Sequence, residues 1–186
     1  MRLGYGQFFG RYQDRRQVGE LALAELQPTV PEHAVQTHTH EDAHLLLLLA
    51  GSYVSSAQGM PSICNVATLV LNPPGTRHRD RFHGLEGRFF TLSWSEARWR
   101  QACCRRQLPQ HALRLGASAQ VQASTLLHEL RHWDDASPLA VEGAFEALLD
   151  EAGIDARADE AVGPAWLARA PCRSSRRASC RRTCLT

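Results

Sequence analysis

The tightest constraint on how this chain folds is one short run, Leu45-Leu46-Leu47-Leu48-Leu49-Ala50, ended by Gly51. It is far shorter than the roughly 18–20 apolar residues that span a bilayer. An apolar run of this length, closed by a turn residue, reads as a strand. Its neighbours read the same way. Glu20 to Leu26, the alternating His33 to His40, Tyr53 to Ala57, Ala67 to Leu71 and Arg88 to Trp94 are strand candidates. Pro28, Pro31, Gln58-Gly59 and Asn72-Pro73-Pro74-Gly75 punctuate them as turns. Short strands at close spacing predict a sandwich or barrel over residues 20–94. Residues 1–19 are polar, with Gly4, Gly6 and Gly10 and the aromatics Tyr5, Phe8, Phe9 and Tyr12. They predict an irregular arm that tucks its aromatics against the barrel.

The pattern changes after Trp94, and residues 95–152 read as two or three helices. Ser95 to Arg106 has a polar helical face. Ser118 to Trp133 carries Val121, Leu126, Leu127 and Leu130 at helical spacing. Ser137-Pro138 opens a further helix as N-cap and first-turn proline, with Val141, Phe145, Leu148 and Leu149 as its core face and its end before Gly153. Residues 153–163 read as a polar linker, and Pro164-Ala165-Trp166-Leu167 as the first turn of one more helix.

Charge divides the chain in the same place. All 21 basic residues are Arg, and six of them lie in the last 18 residues, where there is no acid. The remainder holds 15 Arg against 19 acids, mildly acidic, with no nucleic-acid footprint of its own. Residues 170–186, rich in Arg, Cys and Ser, cannot bury a core and read as a disordered tail. Met1 to Gly10 lacks a basic stretch followed by an apolar one, so a cytoplasmic protein is expected.

Four histidines carry the chemistry. His38 and His40 are one residue apart, so on a strand both imidazoles face the same side. His44 heads the next strand and His78 follows the Pro73-Pro74-Gly75 turn. Imidazoles from adjacent strands can converge on a divalent transition metal, since Zn, Fe, Ni and Cu all accept nitrogen ligands. They can equally line a metal-free pocket for an organic ligand, or sit as satisfied core residues. Around His78, Arg77, Arg79 and Arg81 share the face opposite His78 and Asp80. That is a solvated outer face, or places an arginine such as Arg77 at the barrel mouth to hold an anionic ligand.

The spacing resembles the cupins. Their first motif is HxH, three or four residues, Glu, six residues, Gly. Here His38-Thr39-His40, three residues, His44, six residues and Gly51 match it, with His44 in place of Glu. Their second motif, PxGxxH followed by three residues and then Asn, matches Pro73-Pro74-Gly75-Thr76-Arg77-His78, with Phe82 in place of Asn. The resemblance implies a mainly β protein, a cupin jelly-roll barrel (double-stranded β-helix) followed by two or three α-helices, with His38, His40, His44 and His78 at the metal-ligand positions. Four imidazoles lean towards Zn, Ni or Cu, whereas a carboxylate would suit Fe or Mn.

Residues 75–95 also resemble the sensor domains of AraC-type transcription regulators, in which a cupin is followed by helices and a DNA-binding domain. Residues 164–169 resemble the start of that domain's first helix, after which the sequence departs from the family pattern. An out-of-frame origin for residues 170–186 accounts for this departure; a basic nucleic-acid-binding tail is the rival. The resemblance implies a small-molecule effector, a homodimer built through the helices, no catalysis, and no operator-specific DNA binding by a chain truncated in this way. The alternative is a stand-alone metal-dependent cupin enzyme, a dioxygenase or isomerase, with Glu41 or Asp42 as its acid or base; a purely dimerising fragment is the third.

Overall fold

The computed structural model describes residues 1–58, 60 and 63–162. The expected turn at Pro164 to Leu167 and the tail from 170 to 186 lie outside the described residues. The chain forms β1 (Arg2–Leu3), β2 (Gly10–Val18), β3 (Leu21–Pro28), β4 (His38–His40), β5 (Ala43–Ala50), β6 (Tyr53–Val54) and β7 (Leu69–Asn72). It continues through β8 (Arg77–His78), β9 (Arg81–Phe82), β10 (Arg88–Trp94), α1 (Glu96–Arg105), β11 (Leu113–Leu115), α2 (Ala117–Arg131) and α3 (Ser137–Val162). A mainly β barrel is followed by helices, as expected.

The main sheet has six strands in the order β11-β7-β5-β10-β3-β2. Facing it are a three-stranded sheet, β1-β4-β8, and the β6-β9 pair. Strand β5 is the reason its sequence is apolar without alternation. Leu45 and Leu47 join the cluster shared with the helices, while Leu46 and Leu48 join a second cluster inside the barrel. A central strand buried on both faces has no polar side to show. Gly51 then turns the chain with φ +82, and a Cβ there would come within 3.1 Å of the Gly87 Cα.

The helices cover the outer face of the six-stranded sheet. Trp94 meets Phe145 edge-on, ring centroids 5.1 Å apart. Ser95 caps α1 by accepting from the Arg98 amide. On α2 the buried row is Ala119, Ala123, Leu126, Leu127 and Leu130. Leu126, Leu127 and Leu130 are buried as expected, but Val121 is 61% exposed, its place in the first turns taken by Ala119 and Ala123. At the head of α3, the Asp134 carboxylate accepts from the Ala136 and Ser137 amides, and Ser137 Oγ accepts from the Asp134 amide. The two residues cap the helix reciprocally, with Asp134 in the part expected of Ser137.

Four readings are corrected, the first being the strand His33 to His40, of which only His38–His40 forms a strand while Glu32–Ala34 forms a 3-10 turn. Residues 10–18 are not an irregular arm but strand β2, an edge strand whose exposed arginines hid its period; charges are how exposed edges avoid pairing with other chains. Tyr53 to Ala57 is cut to Tyr53–Val54, because Ser55 Oγ turns to accept from the Ala57 amide. The helix expected to end before Gly153 runs on to Val162. Ala152 and Ala156 extend its buried stripe, and Gly153 lies where a Cβ would meet the Gln107 carbonyl at 3.4 Å. The acids of the supposed linker are partners: Asp155 accepts from the Gly116 amide at the head of α2, and Glu160 from Gln107. No helix among the described residues is long and apolar enough to cross a membrane.

Candidate functional site

Strand register brings the histidines together. His38 stands opposite His78 in the β4-β8 pair, and His44 opposite both Asn72 of β7 and Ser93 of β10. All four histidines are at least 96% buried. Ring centroids lie 4.5 Å apart for His38 and His78, 5.1 Å for His38 and His40, and 4.2 Å for His40 and His44.

Within this cluster two groupings differ. His38, His40 and His78 offer ligand atoms that all lie within 4.8 Å of one another, and His40, Asp42 and His44 form a second such set. His44 is engaged elsewhere: Asn72 Nδ2 donates to its Nε2 at 3.1 Å. The fourth histidine of the expected ligand set is therefore tied to the wall. Asn72 was not legible as a site residue, because only the β5-β7 register places it there.

The three converging imidazoles fit a divalent transition metal. Burial, as the main cause, holds His38, His40 and His44 below the usual imidazole range, His40 and His44 far below it. They are neutral at pH 7, the form that ligates metals. His38 donates its Nδ1–H to the Gln36 carbonyl at 2.9 Å, leaving Nε2 as the nitrogen with a lone pair to offer. His78 Nε2 is buried and has no hydrogen-bond partner. An outer acceptor that fixes the tautomer of a ligating histidine is the usual companion of a metal site.

The cavity beside these rings has a volume of about 40 Å³. Its walls are the four histidines with Asp80, Leu46, Val35, Phe82 and Phe89, and its lid is Phe8 and Phe9. Phe8 lies 5.1 Å from His40 and 5.3 Å from His44, and Phe9 meets His38 edge-on at 4.9 Å. The segment carrying them is tied down, since the Gly6 amide donates to Asp42 Oδ2 and Tyr5 Oη to the Glu20 carbonyl. The expected tucking of aromatics against the barrel is observed for Phe8 and Phe9, which fall on the histidines themselves, whereas Tyr12 is exposed.

Arg77 does not belong to the site. It is exposed and does not line the cavity, because strand alternation turns it away from His78. His33 and His83 are exposed as well. A larger cleft of about 270 Å³ lies between α1 and α3. It offers no free charge to a ligand from Arg98 and Arg106, which are paired with Glu142, Glu146 and Asp150. The small histidine-lined cavity, with converging polar groups of its own, is the better site.

Comparison with known proteins bears on the family and the fold. Residues 23–159 match the family model described as the AraC-like ligand binding domain. Among solved structures, the chain is similar to the AraC-like transcriptional activator CuxR, at TM-score 0.56 and 9% identity, over 80% of this chain and 61% of that one. It also matches a cupin 2 conserved barrel domain protein from Salinispora arenicola, at TM-score 0.37 and 14% identity, over 52% of this chain and 90% of that one. An oxalate decarboxylase matches at TM-score 0.36 and 15% identity, over 43% of this chain and 22% of that one. This chain thus spans less than two thirds of the activator and about a fifth of the decarboxylase. Comparison with the curated proteins gives no match.

Proposed function

This chain belongs to the AraC-like ligand-binding domain family, and from that premise we propose that it is the effector-sensing part of a transcription regulator rather than an enzyme. The observation that carries the proposal is the histidine-walled cavity under Phe8 and Phe9. Pockets that enclose drug-sized molecules run to about 300–1,000 Å³. At about 40 Å³ the partly open cavity has room for a few waters or an ion beside the histidines, not for an organic effector. An effector must therefore move residues 4–9, and it shifts the domain only by binding the moved arrangement better.

His38, His40 and His78 hold a divalent transition metal (Zn, Ni, Cu or Fe) in this reading, while His44 holds the wall through Asn72. Such an ion supplies a Lewis-acid contact for an oxygen or nitrogen of the effector. The aromatic lid and the aliphatic wall favour a small molecule with an apolar body and one metal-binding end. A homodimer built through the helices completes the proposal.

The test is a thermal-melt screen of small carboxylates, phenols and sugars on the zinc-loaded chain, repeated on His40→Ala, with hydrogen exchange of residues 4–9. A true effector raises the melting temperature of the wild type only and speeds exchange of the Gly6 amide. A compound that stabilises both proteins equally contradicts the placement. Turnover of a binder in the presence of Fe(II) supports the rival reading, a metal-dependent dioxygenase or isomerase.

A further inference from the structure

His78 has a neighbour that metal ligation does not itself use. Asp80, two residues on, is turned towards the same cavity, and its side chain is 10% exposed. Its Oδ2 lies 2.9 Å from His78 Nδ1. That is ion-pair distance, but the ring stands out of line for a hydrogen bond, and both its nitrogens lack a hydrogen-bond partner. At 2.9 Å the carboxylate oxygen is within hydrogen-bond reach of an Nδ1–H on that ring once the two are in line. The other oxygen, Oδ1, is not free to drift, because Ser55 Oγ donates to it at 2.7 Å. The next residue after Ser55 repeats the clip: the Arg79 amide donates to Ser56 Oγ at 2.7 Å. Asp80 stands outside the set whose ligand atoms converge within 4.8 Å.

We propose that Asp80 is a positioning residue, held by Ser55, that keeps His78 in its Nδ1–H tautomer and so presents the Nε2 lone pair to the space between His38 and His40. The purpose of this arrangement rests on the sensing-site reading above; its geometry does not. A carboxylate behind a ligating imidazole fixes tautomer and ring orientation and raises ligand basicity. Free imidazole side chains favour the Nε2–H form, so the tautomer itself reports the effect. His38 reaches the same state by another route, through the Gln36 carbonyl.

Long-range proton–nitrogen correlation spectra of the full, metal-free chain at pH 8 read the tautomer of each histidine. His78 is expected as Nδ1–H in the wild type and in Asp80→Asn, whose amide oxygen still accepts, and mainly as Nε2–H in Asp80→Ala. Zinc(II), titrated against a chelator, should bind Asp80→Ala about 10–100-fold more weakly, with Asp80→Asn between. An Nε2–H form of His78 in the wild type, an Nδ1–H form that survives Asp80→Ala, or equal zinc affinity in all three overturns the proposal. Where Asp80→Ala does not fold, the wild-type tautomer decides, with Ser55→Ala expected to loosen it. The expected tautomers in a chain that binds no zinc would support the role of Asp80 while removing the metal from the functional reading.

Discussion

Asn72 donates its side-chain amide to His44 Nε2 at 3.1 Å, directly across the β5-β7 register. This bond engages the Nε2 of His44, whereas His38, His40 and His78 converge with one another. Replacing His38 or His78 by Ala should therefore weaken zinc(II) binding by more than the roughly 10–100-fold typical of an outer partner. Asn72→Ala should instead act on stability, at about 1–3 kcal/mol, the cost of leaving a buried polar group unpaired. Chelator competition and urea unfolding on the same variants separate the two effects.

The arm should open without unfolding the barrel. Phe8 and Phe9 are half-buried, so Phe8→Ala and Phe9→Ala should each cost less than the roughly 3–5 kcal/mol of a fully buried Phe→Ala change. Their signature is faster hydrogen exchange at the Gly6 amide, which now donates to Asp42 Oδ2 at 3.1 Å. Amides of β5, deep in the sheet, should keep their protection.

Glu25 sets an acid limit on stability. It sits 6% exposed where β3 meets α2, and both its oxygens accept from Arg131 at 2.8 Å. The Arg131 hydrogen bonds hold its carboxyl below the usual range, against burial, which pushes the other way. A depressed carboxyl adds stability that is complete above the unfolded value, near 4.3, and is lost as pH falls through the folded one. Glu25→Gln should cost about 1–2 kcal/mol at pH 7, less than a fully buried pair, because the Arg131 side chain is 41% exposed. The gap between wild type and variant in urea midpoint should narrow below about pH 4. A gap that widens on acidification would contradict this assignment.

Asp155 should behave as a helix cap rather than as part of a linker. Its Oδ2 accepts from the Gly116 amide at 2.8 Å, at an α2 terminus with no side-chain cap of its own. Asp155→Ala should lower stability by about 0.5–2 kcal/mol, read as a drop in melting temperature. No change would return residues 153–162 to a passive role.

The sequence was most informative where spacing and structure share a period. The HxH pair, the Leu45–Ala50 run and the PxGxxH turn placed the barrel and its histidines, because strand alternation converts spacing directly into facing. It was least informative where register or long-range pairing decides. Nothing local marks Asn72 as the partner of His44, or Phe8 and Phe9 as the lid. Strand β2 escaped notice because an exposed edge is polar along its length. The end of α3 is not legible because Gly153 and the acids beyond it look like a linker until their partners Gln107 and Gly116 are known. Proximity in sequence to His78 makes Arg77 a candidate at the barrel mouth beside the alternative of a solvated outer face, and the alternation that turns His78 inward leaves Arg77 on that outer face.

The most direct test of the account is the metal content of the full chain after equilibrium dialysis against zinc(II), beside a His38→Ala/His78→Ala double variant shown to be folded. The account predicts about one zinc per wild-type chain and none in the variant. Equal zinc in the two proteins, or none in a folded wild type, would contradict a metal centre built on His38, His40 and His78.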